Sequence, residues 1–389
     1  MRQVPCFLMC LFLFFSASLF ADIPQATQLQ YGPIPVLILR GNHTQMGIEY
    51  GKSLKLQLTQ ELAILKQFYM TEHGVSYDAL VKQSTLFYDR FPVTYQRFLQ
   101  GEAIGSGLSL DEVKILNAME TLGELLSNHD DVKCAFLFLP PNKTVTGKAL
   151  IGRNYDYPEP FNQLAPYLTV TILQEKNTVP TAFISIAGEV YCPSCVNANG
   201  LFMELNNGTP SGGHAVDTDR QSLLINMLMT MQNAASLDQI EKQMNAAQSD
   251  FSLIINAASQ NQSRSFEFSS NSILGEKYFT PHENKTFAST NFYLDPDWGN
   301  EIPAPTDEST WMGVTRRNNL LTLANASDKF DISSFENLMN TPITQGGADW
   351  SLTIYQLIFD ESSLSLYVKI NPESDTAWTS IPLGRLFNV

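Results

Sequence analysis

The stretch CAFLFLPPNKTVTGKALIGRNYDY, residues 134–157, decides the fold. An apolar run opened by Cys134 passes through a polar turn into a second run that closes on Gly152, Arg153, Asn154 and Asp156. Short runs of this kind, separated by Pro, Asn and Gly, read as paired strands. A cysteine in such a strand is ordinarily a small hydrophobe. Arg153 and Asp156 are different, because charges amid apolar runs have lost their water and need partners. Their spacing suggests that they leave the strand's end together. If the chain were cut between Lys133 and Cys134, the new α-amino group of Cys134 would supply one such partner.

Outward from this stretch the texture changes in both directions. From about Thr44 to Glu120 the apolar positions fall at helical spacing, and SLDEVKILNAME opens with Ser109 as N-cap and Glu112 three residues on, a capping box. After Cys134 the chain turns to short apolar and alternating runs, KALIGRNYD, LAPYLTVTIL, PTAFISIAG, SFEFS, TIYQLIFD and SLSLYVKI, broken by Pro, Gly and Asn. Two helical candidates interrupt them, SLLINMLMTMQNAASLDQIEKQMNAA and the stretch around RRNNLLTLANA. A helical leader followed by a strand-rich body with internal helices predicts a layered α+β domain.

The first residues, MRQVPCFLMCLFLFFSASLFAD, have the layout of a secretory signal peptide, with Arg2 ahead of an apolar core and small residues near Ala21. Residues 1–21 are therefore expected to be removed, leaving an exported chain with no membrane span, in a periplasm, outside the cell, or in a lumen such as the lysosome if the host is eukaryotic. A 44% apolar and 16% charged composition describes a chain with a large core. The net charge of −15 opposes nucleic acid and anionic membrane surfaces, whose phosphates it would repel. N-x-S/T sequons at Asn42, Asn142, Asn207, Asn261, Asn284 and Asn325 could carry glycans in a eukaryotic host.

Without the leader three cysteines remain, Cys134, Cys192 and Cys195. In an oxidising compartment the CPSC pair can close on itself, or one member can bond to Cys134, and an odd count leaves one thiol over. Cys134 is expected to be that thiol, with Cys192–Cys195 a small structural bridge. No cofactor or metal is expected, since the cysteines have no His or Cys at ligand spacing. The histidines, His43, His73, His129, His214 and His282, lie in no recognisable Cys/His motif.

A thiol with no histidine can still be activated if it heads a chain. A free α-amine has a reference pKa near ~8, so it can take the thiol proton at neutral pH, directly or through a water. That is the logic of an N-terminal nucleophile.

The segments RGNHTQMGIEYGKSL, GEAIGSGLSLDEVKILNAMETL, the Cys134 strand with GKALIGRNYDY, AGEVYCPSCVNANGLFMELNNG, STNFY and TIYQLIFDESSLSLYVKI resemble, in order, the acyl-coenzyme A:6-aminopenicillanic acid acyltransferase family of N-terminal nucleophile hydrolases. The cysteine followed by GRNxD is shared with choloylglycine hydrolases and acid-ceramidase-like amidases; the helical leader picks the acyltransferase branch. The resemblance implies a four-layer αββα sandwich made as a precursor that cleaves itself at Lys133–Cys134. The products would be a mainly helical α fragment, 22–133, and a β fragment, 134–389, held together as a heterodimer. It further implies Cys134 as nucleophile, Asp156 holding its α-amino group, and Arg153 beside the thiol. Asn291 would help form the oxyanion hole, with Asn206 near it, though Asn206 also reads as a turn residue before Asn207–Gly208. Arg316 or Arg317 would be the family's site arginine. The YLDPDW loop, with Asp295, Asp297 and Trp298, reads as turn and packing groups.

Two departures stand out. Lys133 and Ala135 replace the Gly before and the Thr or Ser after the cysteine that members often carry, and CPSC falls where a Gly-rich turn is usual. The substrate implied is a small N-acyl compound with a non-peptide C–N amide, hydrolysed or used for acyl transfer. A ceramidase or N-acylethanolamine-type lipid amidase is one rival, and an uncleaved, secreted binding protein on the same fold is another.

Overall fold

Local signals set the helical leader. The computed structural model describes residues 26–126, 133–158, 161–270, 277–370 and 376–389, and the expected leader with its cleavage point after Ala21 lies outside them. The described residues open with two strands that the helical reading did not anticipate, β1 (Thr27–Tyr31) and β2 (Ile34–Arg40). Then come α1 (His43–Ser53), α2 (Lys55–Lys66), α3 (Tyr77–Asp89), α4 (Val93–Ser106), α5 (Leu110–Asn117) and α6 (Met119–Leu125). Asn42 and Gln45 form a capping box on α1, as Ser109 and Glu112 do on α5. α1 and α4 meet backbone to backbone through Gly47 and Gly51 on one side and Gly101 and Gly105 on the other. A Cβ on Gly47 would lie 2.0 Å from the Phe98 carbonyl oxygen.

The body supplies β3 (Lys133–Leu139), β4 (Leu150–Asp156), β5 (Leu168–Gln174), β6 (Thr181–Ile186), β7 (Ser194–Asn197) and β8 (Phe202–Asn207). After α7 (Thr209–Gly212), α8 (Leu223–Asn233) and α9 (Leu237–Ala246) follow β9 (Leu253–Ser259), β10 (Gln262–Phe268), β11 (Lys277–Glu283) and β12 (Phe287–Ser289). Then follow α10 (Gly313–Asn325), α11 (Ile332–Met339), β13 (Thr353–Asp360), β14 (Ser365–Ile370), β15 (Thr379–Ile381) and a last helical turn, α12 (Leu383–Leu386). Among the described residues these make a nine-stranded sheet, β1-β2-β5-β6-β7-β8-β9-β10-β11, and a six-stranded sheet, β12-β3-β4-β13-β14-β15. β2 joins β5 in parallel, so the leader and the body share one sheet.

The two sheets face each other across an aromatic seam, with Phe202 of β8 6.4 Å from Phe136 of β3 and 6.0 Å from Phe359 of β13. α10 and α11 cover the outer face of the six-stranded sheet, where Leu320, Ala324, Phe335, Leu338 and Met339 pack on Leu137, Leu150 and Ile358. α8 and α9 pack on the nine-stranded sheet beside the leader helices, which the Tyr95 hydroxyl joins to Gln232. The layering is the four-layer αββα sandwich expected.

Strand periodicity corrects one expectation. Successive side chains of a strand point to opposite faces, and Arg153 and Asp156 are three residues apart. Arg153 turns into the seam with Cys134 and Tyr155, while Asp156 turns outward to α10. They do not leave the strand as a pair; each has its own partner on its own side.

Candidate active site

Cys134 sits near the start of β3, opposite Tyr155 of β4, and is fully buried. Its N–H, carbonyl and sulfur are each held by a different side chain. The N–H donates to Asn291 Oδ1 at 3.0 Å, the carbonyl accepts from Arg316 Nη1 at 3.0 Å, and Arg153 Nη2 approaches Sγ at 3.5 Å. Register explains the first contact. β12 pairs Phe287, Ala288 and Ser289 with Phe138, Leu137 and Phe136, which would bring residue 291 opposite Cys134 had the strand continued. It stops at Ser289, and the Asn291 side-chain amide takes the ladder position instead.

On the seam side, Arg153 is fixed by two acceptors, the Glu204 carboxylate and the Pro193 carbonyl at 2.8 Å. Glu204 in turn accepts from Asn256 Nδ2 at 2.5 Å. Arg153 and Glu204 are both wholly buried, so each is the other's main relief from desolvation. Sequence reasoning missed Glu204; a glutamate inside the apolar run LFMEL was the available signal, of the same kind that singled out Arg153.

On the helix side, Arg316 of α10 bridges three groups. Besides the Cys134 carbonyl it reaches Asp156 Oδ2 at 3.0 Å and Asn291 Oδ1 at 2.9 Å, and it lies over the Trp350 ring at 5.2 Å. Asp156 Oδ1 accepts from Thr353 Oγ1 at 2.7 Å, a second partner that sequence reasoning missed. Between the two arginines left open by the sequence, the structure brings Arg316 to Cys134, whereas Arg317 is half-buried and donates to the Ala288 carbonyl. In this uncut chain Asp156 reaches Cys134 through Arg316, and the acceptor at Cys134 N is Asn291.

Asn206 lies inside β8, opposite Ile254, so its reading as a turn residue fails: the ladder runs through Asn207 before the chain bends. Asn206 is buried, with Nδ2 3.5 Å from Ser289 Oγ and, among the described residues, no hydrogen-bond partner on Oδ1. Its neighbour Asn207 gives its carbonyl to Asn291 Nδ2 at 3.0 Å. Asn207 is buried, which leaves its sequon no room for a glycan. Cys192 and Cys195 form the expected disulfide and Cys134 is a free thiol. Asp295 caps the turn that follows it and Trp298 donates to Glu267, both as packing groups. His43 meets Glu175, His73 packs on Phe68 and His282 stacks on Phe287; His129 lies outside the described residues.

The electrostatics describe a latent thiol. Burial pushes Cys134 up to about 12, against the opposing pull of Arg153. Burial also raises Asp156 to about 6 despite Arg316, and Glu204 to about 7 despite Arg153. Beside the site, Glu120 and Thr121 of α6 line a small pocket of about 20 Å³ together with Tyr157, Leu205, Asn207, Leu224, Phe251 and Leu253. That is room for about one water.

The chain matches no protein-family model and no curated protein sequence. Among solved structures it is similar to a point variant of the conjugated bile acid hydrolase from Clostridium perfringens, with 12% identity over 65% of this chain and 93% of that one, at a TM-score of 0.48. It is similar too to an N-acylethanolamine-hydrolyzing acid amidase ortholog from Caenorhabditis elegans (13% identity, 59% and 93% of the chains, TM-score 0.44). A third is the penicillin V acylase from Agrobacterium tumefaciens (12% identity, 63% and 85%, TM-score 0.35). All three are N-terminal nucleophile hydrolases, the superfamily the sequence resembles.

Proposed function

We propose that this chain is the precursor of an exported cysteine amidohydrolase of the N-terminal nucleophile type. The observation that carries the reading is the separate hold on all three polar atoms of Cys134 by Arg153, Asn291 and Arg316. A cysteine that merely fills a strand needs ladder bonds and apolar neighbours, not two buried arginines and an asparagine.

The first reaction is on the chain itself. The Cys134 sulfur attacks the Lys133 carbonyl carbon, the C–N bond breaks, the Cys134 nitrogen takes up the thiol proton, and the Lys133 acyl group is left on sulfur as a thioester. Water then adds to the thioester, giving a Lys133 carboxylate and the free thiol. The new α-amine keeps Asn291 Oδ1 within reach and becomes the base that the uncut site lacks. In turnover the same thiol attacks the carbonyl of a small N-acyl amide, the amine leaves with a proton, and water releases the acid; an amine in place of water would give acyl transfer.

The two fragments are expected to stay together as a heterodimer, since β2 from the leader is hydrogen-bonded between β1 and β5. Among the described residues no helix is long and apolar enough to cross a membrane. The deciding experiment is denaturing intact mass of the purified protein beside Cys134→Ala. Two fragments in the first, the larger beginning at Cys134, and one chain in the second support the reading. One uncut chain in both, with no hydrolysis of N-acyl amides, favours a binding protein on this fold.

A further inference from the structure

Cys192, Pro193, Ser194 and Cys195 form a ring closed by their disulfide, buried against the candidate site. A ring this short removes little entropy from the unfolded chain, because that effect grows with the length of the closed loop. Its consequence is local. Cys195 lies in β7, laddered to Phe183 and Met203, whereas Cys192 precedes the strand and has no place in the ladder. The bridge ties the unladdered end of the ring to the laddered one.

Inside the ring, the Pro193 carbonyl accepts from Arg153 Nη1 at 2.8 Å and from the Leu205 N–H at 3.2 Å. The same guanidinium turns Nη2 to Cys134 Sγ at 3.5 Å. A guanidinium is a rigid planar fork, so an acceptor that holds Nη1 also sets where Nη2 points. Proline at this position has a restricted φ, which removes one backbone freedom from the ring.

We propose that the Cys192–Cys195 disulfide is a positioning element for the nucleophile: it fixes the Pro193 carbonyl, which fixes the Arg153 fork, which aims Nη2 at Cys134 Sγ. The inference rests on the reading of Cys134 as nucleophile. It makes the site depend on the oxidation state of a bridge that touches neither the thiol nor a substrate.

The test is a Cys192→Ser/Cys195→Ser double variant compared with the wild type. Iodoacetamide labelling of Cys134 is followed across pH by peptide mass, together with self-cleavage rate and thermal midpoint. Loss of the aimed guanidinium leaves the thiolate less supported, so the labelling midpoint should rise by about one pH unit and self-cleavage at pH 7 should fall about tenfold. A lowered thermal midpoint with an unchanged labelling midpoint would mean that the bridge only stabilises the fold, and would overturn the proposal. If the double variant does not fold, Pro193→Gly keeps the bridge and the carbonyl but frees the ring's backbone. A rise in the labelling midpoint there supports the proposal, and an unchanged one overturns it. A wild type that never cuts itself would defeat the proposed function, whereas a wild type that cuts, with a folded double variant that cuts as fast and labels at the same midpoint, would overturn this proposal alone.

Discussion

Asn291 Oδ1 receives the Cys134 N–H at 3.0 Å from the ladder position that β12 vacates. The asparagine thus holds the nitrogen of the bond proposed to break, and the same oxygen accepts from Arg316 Nη2 at 2.9 Å. Replacing it removes a preorganised contact at the reacting atoms and leaves Arg316 short of one acceptor.

Asn291→Ala should therefore slow self-cleavage by about a hundredfold or more, in line with the ~3 kcal/mol that one aligned group near a developing charge is worth. Time-resolved gel analysis of freshly purified protein measures it. Cleavage within about twofold of wild type in a folded Asn291→Ala protein would remove Asn291 from the reaction.

The two neighbouring arginines should separate cleanly. Arg316→Ala leaves Asp156 buried without its cation, which should cost about 3–5 kcal/mol of stability and abolish cleavage. Arg317 is only partly buried and donates to one carbonyl, so Arg317→Ala should cost about 1 kcal/mol and leave cleavage intact. Urea denaturation and intact mass on both variants check this; equal effects would contradict the geometry.

Stability should fall as pH rises above about 4.5. Glu61 of α2 and Glu102 of α4 are buried, and among the described residues no hydrogen-bond partner holds either carboxylate's oxygens. Burial raises both well above 4.5, and Glu189 and Glu102 add to the effect on Glu61. The Tyr50 ring and Glu189 face the same spot from α1 and from the segment after β6. Below 4.5 both folded and unfolded chains hold these protons; above it the unfolded chain ionises first and gains. Urea midpoints from pH 4.5 to 8 should decline, and Glu61→Gln/Glu102→Gln should flatten the decline. A midpoint that climbs across this range would refute the assignment.

The glycine contact of α1 with α4 tolerates no side chain. Gly101→Ala would place Cβ 2.2 Å from the Thr44 carbonyl oxygen, and Gly47→Ala would meet Phe98 as closely. Each should destabilise by about 3 kcal/mol, at the upper end of overpacking costs. Ile104→Ala, on an exposed position of the same helix, should stay within about 0.5 kcal/mol. Thermal melts of the three variants decide it.

What the sequence by itself determined is what short-range physics writes into it. Capping at Ser109, apolar spacing from Thr44 to Glu120, and turn residues between the strand runs gave the α+β order, and Arg153 and Asp156 stood out as charges amid apolar runs; Asn291, an arginine at 316 or 317 and the nucleophile role of Cys134 came from the family resemblance. Only the tertiary structure decided how these residues meet. Sheet order made Glu204 and Thr353 the neighbours of Arg153 and Asp156, and the early end of β12 gave the Cys134 N–H to Asn291. Each of these contacts joins elements far apart in the chain, where partner choice depends on sheet order and register, which no local pattern encodes.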